Sequence, residues 1–186
     1  MGPRTGVRRQ LARVGDRTTR ARKTDRIGEA VIVRLDHVGV ATGDPQGAGD
    51  LLAALGLTVG DRGNAETYGV SCDFWQAEKG GCAIELVAPL NDEAAISRRL
   101  AEHGPGLYHI AFEVDDVVAE LERLRGLGLV PVDREPQPGA RHGMWVAFVY
   151  AKRPAGLLIE LVEYRRTDPP AAGNTDAHPG TAVGAP

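Results

Sequence analysis

The sequence predicts an α+β fold of two tandem βαβββ modules, whose strands form one curled mixed sheet around a shared site. Three observations support this. The order strand, helix, strand, strand, strand occurs twice along the chain; residues 35–40 (LDHVGV) match residues 107–112 (LYHIAF); and residues 83–87 (AIELV) match residues 158–162 (LIELV). A pattern that repeats in both the order of elements and the letters indicates a duplicated supersecondary unit.

The first module begins with a largely apolar stretch that predicts a strand. Asp44 and Pro45 then suit a helix start, and Gly56 suits its end. Turn residues at Gly63-Asn64 and Gly80-Gly81 separate the stretches that follow. The strands are predicted at residues 31–41, 57–60, 69–76 and 82–88, with the helix running to residue 55.

The second module follows a polar linking helix predicted at residues 92–103, with Asp92 as its cap. Asp115 begins the next predicted helix, in which Val118 and Leu121 recur at helical spacing, and Gly126 ends it. The strands are predicted at residues 107–114, 129–132, 144–150 and 157–163, with a loop at residues 134–143.

The two ends of the chain differ from this pattern. Residues 1–30 contain nine Lys or Arg against three acids, and residues 167–186 are mainly Pro, Ala, Gly and Thr. A basic tether for nucleic acid or membrane, or a targeting peptide, is one interpretation of the first segment. We predict instead a disordered leader, a folded domain at 31–166 with modules at about 31–89 and 105–166, and a flexible tail.

Composition limits the classes of function. No apolar run approaches the roughly 20 residues that cross a bilayer, and no apolar stretch at the N-terminus resembles a signal peptide. Cys72 and Cys82 are the only cysteines, too few for a disulfide scaffold. We therefore predict a cytoplasmic protein with neither a membrane nor a nucleic acid as its partner.

The repeat places one histidine and one glutamate in equivalent strands of each module: His37 with Glu85, and His109 with Glu160. A carboxylate within an apolar strand is costly to desolvate unless a partner satisfies it. Any one of the four residues alone is explained without a metal, as a glutamate that faces solvent or a histidine that makes an ordinary hydrogen bond. Together, in matched contexts, they predict a site for one divalent metal with nitrogen and oxygen ligands, such as Zn, Co, Ni, Mn or Fe(II).

Four stretches carry a resemblance to a known family: residues 35–40, 88–93 (APLNDE), 106–116 (GLYHIAFEVDD) and 156–161 (GLLIEL). The chain resembles the vicinal oxygen chelate superfamily (glyoxalase, bleomycin resistance protein, dioxygenase) and, within it, the methylmalonyl-CoA epimerases. The resemblance implies a glyoxalase-like fold, a metal on the four residues above, an acyl-CoA substrate and a homodimer. It also implies removal of a proton alpha to a thioester carbonyl, with the metal as Lewis acid.

The chain departs from the epimerase pattern at the general base. The epimerases carry a catalytic glutamate three residues beyond a glycine that corresponds to Gly69, and this position is Cys72 here. Asp73 adjoins it but faces the other way unless a bulge intervenes. Glu66, just before the strand, is the other candidate. Cys72 itself is predicted to be a small core residue rather than a nucleophile.

A second departure follows the strand at 144–150, where residues 150–154 (YAKRP) replace the more usual His-Pro-Lys. Lys152 and Arg153 are the candidates for contact with a CoA phosphate or a substrate carboxylate, although strand-end cations are often simply solvated.

The sequence thus predicts a metal-dependent epimerase or isomerase of an acyl-CoA-like substrate. One alternative keeps the metal and changes the reaction to that of another glyoxalase-type isomerase, or of a lyase or cyclase of secondary metabolism. The other is a ligand-sequestering resistance protein without catalysis. Such proteins generally lack the metal residues, so retention of all four favours an enzyme.

Overall fold

A computed structural model describes residues 32–166. The predicted leader and tail lie outside this range. The strands are β1 Ile32–Ala41, β2 Thr58–Ala65, β3 Val70–Gln76, β4 Ala83–Pro89, β5 Gly106–Val114, β6 Val130–Pro131, β7 Gln137–Pro138, β8 Met144–Ala151 and β9 Leu157–Tyr164. The helices are α1 Pro45–Ala54, α2 Ala95–His103 and α3 Val117–Gly126.

All nine strands belong to one mixed sheet, in the order β2-β3-β4-β1-β5-β9-β8-β6, with β7 paired to β8. The sheet is curled but does not close. The first strand of each module runs parallel to the last strand of that module, and β1 and β5 pair antiparallel at the centre. The predicted glyoxalase-like α+β fold is confirmed, and the β1/β5 pair is the seam between the modules.

Strand β2 is longer than the sequence predicts. Gly63 and Asn64 suggest a turn, yet both lie within β2 and pair with β3. A register shift between Val59 and Arg62 marks an irregularity that bends β2 without ending it. The chain reverses instead through a 3-10 turn at Glu66–Tyr68, which ends at a glycine with φ of +66°.

Aspartates begin two of the three helices. The side chains of Asp44 and Asp116 each accept a hydrogen bond from the backbone N–H three residues on, at 2.9 and 3.0 Å, which satisfies a free donor of α1 and of α3. The cap of α3 is Asp116, whereas the sequence predicted that this helix begins at the neighbouring Asp115. The predicted cap Asp92 is wrong, because α2 starts after Ala94 and has no side-chain cap.

Each module has its own buried core. In the second, Val117 and Leu121 of α3 pack against β8 and β9, and in the first, Ile96 of α2 belongs to the same buried cluster as Phe74 of β3. Among residues 32–166, no helix has the length and apolar character needed to cross a membrane.

Candidate metal centre

The two predicted histidines meet at the seam between the modules. His37 of β1 pairs with Ala111 of β5, and His109 of β5 pairs with Gly39 of β1. Each imidazole therefore lies opposite a small residue. Ala111 comes two positions after His109, and Gly39 comes two positions after His37. A methyl group on Gly39 would lie 2.2 Å from the His109 ring, so the absence of a side chain there makes room for it.

The two glutamates occupy equivalent positions on the strands flanking the seam. Glu85 of β4 lies between Gly39 of β1 and Phe74 of β3. Glu160 of β9 lies between Ala111 of β5 and Phe148 of β8. Each phenyl ring stands edge-on to the histidine of its own module, His37–Phe74 at 5.3 Å and His109–Phe148 at 5.4 Å between ring centroids.

The four side chains converge on one small volume. The two Nε2 atoms of His37 and His109 are 3.1 Å apart, and each lies 2.9 Å from Oε2 of Glu160. Oε2 of Glu85 lies 3.2 Å from Nε2 of His37 and 3.1 Å from Nε2 of His109. All four residues are at most 5% exposed, and their ligand atoms fall within 4.8 Å of one another.

This arrangement fits a divalent metal. Among the described residues, Oε2 of Glu85 is buried and accepts no well-aligned hydrogen bond despite the two nearby imidazoles. Such a buried oxygen is costly unless another partner satisfies it. Two imidazole nitrogens and two carboxylates form the mixed donor set that Zn, Co, Ni, Mn and Fe(II) accept.

The electrostatics of the cluster agree with a cation site. Burial opposes a charge on His37, but Glu160 and Asp36 outweigh it and raise the pKa of His37 to about 12. Burial likewise opposes protonation of His109, and Glu160 and Glu85 raise its pKa to about 9. Burial favours neutral carboxyls, but the two imidazoles hold the pKa values of Glu85 and Glu160 below their usual range. The carboxylates thus favour positive charge at the centre, which a metal would supply in place of protons.

The centre opens onto a cavity of about 400 Å³ whose lining includes Glu85, His109 and Glu160. Its walls are largely apolar and come from both modules: Val87, Ile96, Val132, Val146, Phe148 and Leu158. A mostly apolar cavity with a few convergent polar groups is the usual form of a small-molecule site.

The two base candidates occupy different places. Glu66 lines the cavity, is exposed and accepts a hydrogen bond from Asn64 at 3.0 Å. Asp73 is outside the cavity lining and pairs with Arg62 at 3.3 Å. Cys72 is 3% exposed and faces the cavity. Burial, together with the charge of Glu85, raises the pKa of its thiol.

Lys152 and Arg153 are exposed in the turn after β8 and do not line the cavity. Sequence reasoning missed Tyr68, which lines the cavity and donates a hydrogen bond from its hydroxyl to Asp133 at 2.9 Å. These partners are 65 residues apart, and no local pattern connects them.

The fold and the centre together define a chain of two βαβββ modules that share one buried His₂Glu₂ site at their seam. The sequence profile of the Glyoxalase/Bleomycin resistance protein/Dioxygenase superfamily matches residues 36–148. The chain belongs to this superfamily.

Similar proteins narrow the comparison. The mitochondrial methylmalonyl-CoA epimerase of Dictyostelium discoideum is 34% identical over 139 residues, covering 74% of this chain and 82% of that protein. The ethylmalonyl-CoA/methylmalonyl-CoA epimerase of Cereibacter sphaeroides is 34% identical over 134 residues, covering 70% and 98%. The structure of a variant of the Streptomyces coelicolor methylmalonyl-CoA epimerase, in complex with 2-nitronate-propionyl-CoA, matches with a TM-score of 0.65 and 29% identity, covering 73% and 99%.

Proposed function

We propose that this protein is a metal-dependent epimerase that inverts the carbon alpha to the thioester of an acyl-CoA of the methylmalonyl-CoA type. The observation that supports it best is the buried His₂Glu₂ cluster beside a cavity of about 400 Å³. The similarity to methylmalonyl-CoA epimerases over most of the described chain supports the substrate class.

The metal, one divalent ion such as Zn, Co, Ni, Mn or Fe(II), would be held by His37, Glu85, His109 and Glu160. When bound, the metal would supply Lewis-acid stabilisation of negative charge developing on the substrate. The apolar walls would exclude water from the acidic carbon, which strengthens electrostatic interactions at the centre.

Inversion requires proton transfer on both faces of the alpha carbon. Of the two predicted bases, Glu66 is favoured by its place in the cavity lining. Asp73 does not line the cavity and pairs instead with Arg62, because neighbouring residues on β3 face opposite ways and Cys72 faces the cavity. Lys152 and Arg153, which are exposed in the turn after β8, remain proposed contacts for a CoA phosphate or a substrate carboxylate.

The test is hydrogen-to-deuterium exchange at the alpha carbon of methylmalonyl-CoA in deuterated water, followed by mass spectrometry. Metal-loaded wild type should exchange and epimerise, Glu160→Ala should do neither, and Glu66→Gln should lose most of the rate. Glu120→Gln is the matched control, because Glu120 is a buried carboxylate paired with Arg123 on α3, outside the cavity lining. Exchange that is equally fast without metal, or in Glu160→Ala, would refute the proposal.

A second reaction at the same centre is favoured by one observation: the cavity-facing position of β3 carries Cys72 rather than a carboxylate. The alternative is another glyoxalase-type isomerisation, or a lyase or cyclase reaction, that would not use a carboxylate at that position. Metal at one equivalent without exchange of methylmalonyl-CoA would favour this alternative. Absence of bound metal would favour a sequestering protein. The homodimer and the cytoplasmic location stay predictions.

A further inference from the structure

The two histidines of the centre differ in what holds their second ring nitrogen. Nδ1 of His37 donates a hydrogen bond to Oδ2 of Asp36 at 2.8 Å. Nδ1 of His109 is buried and has no hydrogen-bond partner among residues 32–166. The residue before His109 is Tyr108, so the repeat itself does not provide a second carboxylate. The four residues are arranged almost symmetrically, but only His37 has a hydrogen bond to a carboxylate at its second ring nitrogen among residues 32–166.

A bulge explains how Asp36 reaches the histidine next to it. Neighbouring residues on a regular strand face opposite ways, but Leu35 pairs with Phe112 while His37 pairs with Ala111, so Asp36 is an extra residue on β1. A bulge of this kind redirects a side chain. Asp36 consequently lies beside its neighbour and is 2% exposed.

Two groups from the second module hold the Asp36 carboxylate. Nη1 of Arg141 and the hydroxyl of Tyr164 each donate to Oδ2 at 3.1 Å, and Nη1 of Arg141 also donates to that hydroxyl at 2.8 Å. Arg34 approaches Oδ1 at 2.8 Å, but its side chain is 51% exposed, so that ion pair adds little. Arg141 is 14% exposed and is the stronger constraint.

Arg141, a residue of the second module, also contacts side chains of the first module. It belongs to the loop between β7 and β8, and its guanidinium lies 3.6 Å from the ring centroid of Phe74 on β3. Its Nε approaches Asp61 of β2 at 3.2 Å. The preceding residue, Ala140, lines the cavity. Neighbouring residues of one loop therefore line the cavity, through Ala140, and hold the carboxylate that contacts His37, through Arg141.

We propose that Asp36, held by Arg141 and Tyr164, is a positioning residue that fixes the His37 ring with Nε2 toward the metal, making His37 the more firmly held histidine ligand. A hydrogen bond from Nδ1–H to a carboxylate selects the tautomer whose Nε2 is free to bind metal and raises the basicity of that nitrogen. This inference rests on the metal proposed above.

The test measures metal affinity by chelator competition, together with the visible absorption of the Co(II)-loaded protein. Asp36→Asn should weaken binding by about 10- to 100-fold, as loss of such a partner does, and should change the Co(II) spectrum. Arg141→Met should cause a smaller loss that disappears in the Asp36→Asn background, because both act through the same carboxylate. The control Glu120→Gln should change neither readout, because this carboxylate is also buried but lies on α3, outside the cluster and the cavity lining.

Tyr164→Phe keeps the inference testable if Asp36→Asn fails to fold, because it removes one hydroxyl and should weaken binding in the same direction. Folded Asp36→Asn or Tyr164→Phe protein that binds metal as tightly as wild type would overturn this inference and leave the proposed function standing. Wild-type protein that binds no divalent metal would overturn both.

Discussion

Gly39→Ala tests the geometry of the seam most directly. The added methyl carbon would lie 2.2, 2.4 and 2.6 Å from Cε1, Nδ1 and Nε2 of His109, whereas ordinary contact begins at 3.4 Å. The ring would have to move by roughly 1 Å, while a functional constellation tolerates about 0.5 Å. Phe148 and His37, with ring centroids at 5.4 and 5.2 Å, limit where it can go.

Overpacking of this kind costs about 1–3 kcal/mol. The metal-free protein can relieve part of this strain by tilting the ring, but the loaded protein needs the ring in place. Metal affinity falls by the part of the strain that the metal-free protein relieves, which is at most roughly 5- to 150-fold, since 1.4 kcal/mol is a factor of ten; the remaining strain lowers the stability of the protein. The assay is chelator competition with a parallel urea denaturation. Gly43→Ala is the control, because nothing lies within 4 Å of a methyl group there. Wild-type affinity and stability in Gly39→Ala would refute the described seam.

Three further predictions concern a contact between the modules, the two thiols, and the effect of the metal on stability. Gly63→Ala should lower the free energy of unfolding, measured in urea, by about 1–3 kcal/mol, because its methyl would lie 2.0 Å from a backbone carbonyl of the other module. The control is Gly60→Ala on the same strand, whose nearest contact is a flexible side chain at 3.3 Å and whose nearest backbone atom is at 3.8 Å. Thiol titration at pH 8 should show exposed Cys82 reacting fast and Cys72 slowly, because burial and the charge of Glu85 hold the pKa of Cys72 above that of a free thiol; equal rates would contradict this. A divalent metal at 100 times its Kd should stabilise the protein by about 2.7 kcal/mol, and Glu160→Ala should abolish that gain.

The sequence predicted the fold and the four clustered residues because both depend on local patterns. Alternation within a strand placed each glutamate opposite its aliphatic neighbours, and the duplication identified the partner strands. Other features depend on contacts that no local pattern encodes. Asp36 meets Arg141 and Tyr164 across 105 and 128 residues. Gly63 looked like a turn residue, but its lack of a side chain serves a close approach between the modules.

The sequence predicts the proposed metal centre more clearly than the proposed base, and this difference has a physical origin. The two modules bring equivalent residues to the seam, so the pair of one histidine and one glutamate occurs twice in the sequence. Inversion at carbon needs two different groups on the two faces of the substrate, and a base need appear in only one module. Such a residue has no duplicate to reveal it. Glu66 follows the end of β2 and Asp73 lies on β3, and their different places relative to the cavity depend on the folded structure rather than on a repeated pattern. The rate of Glu66→Gln therefore tests the part of the mechanism that the duplication cannot specify.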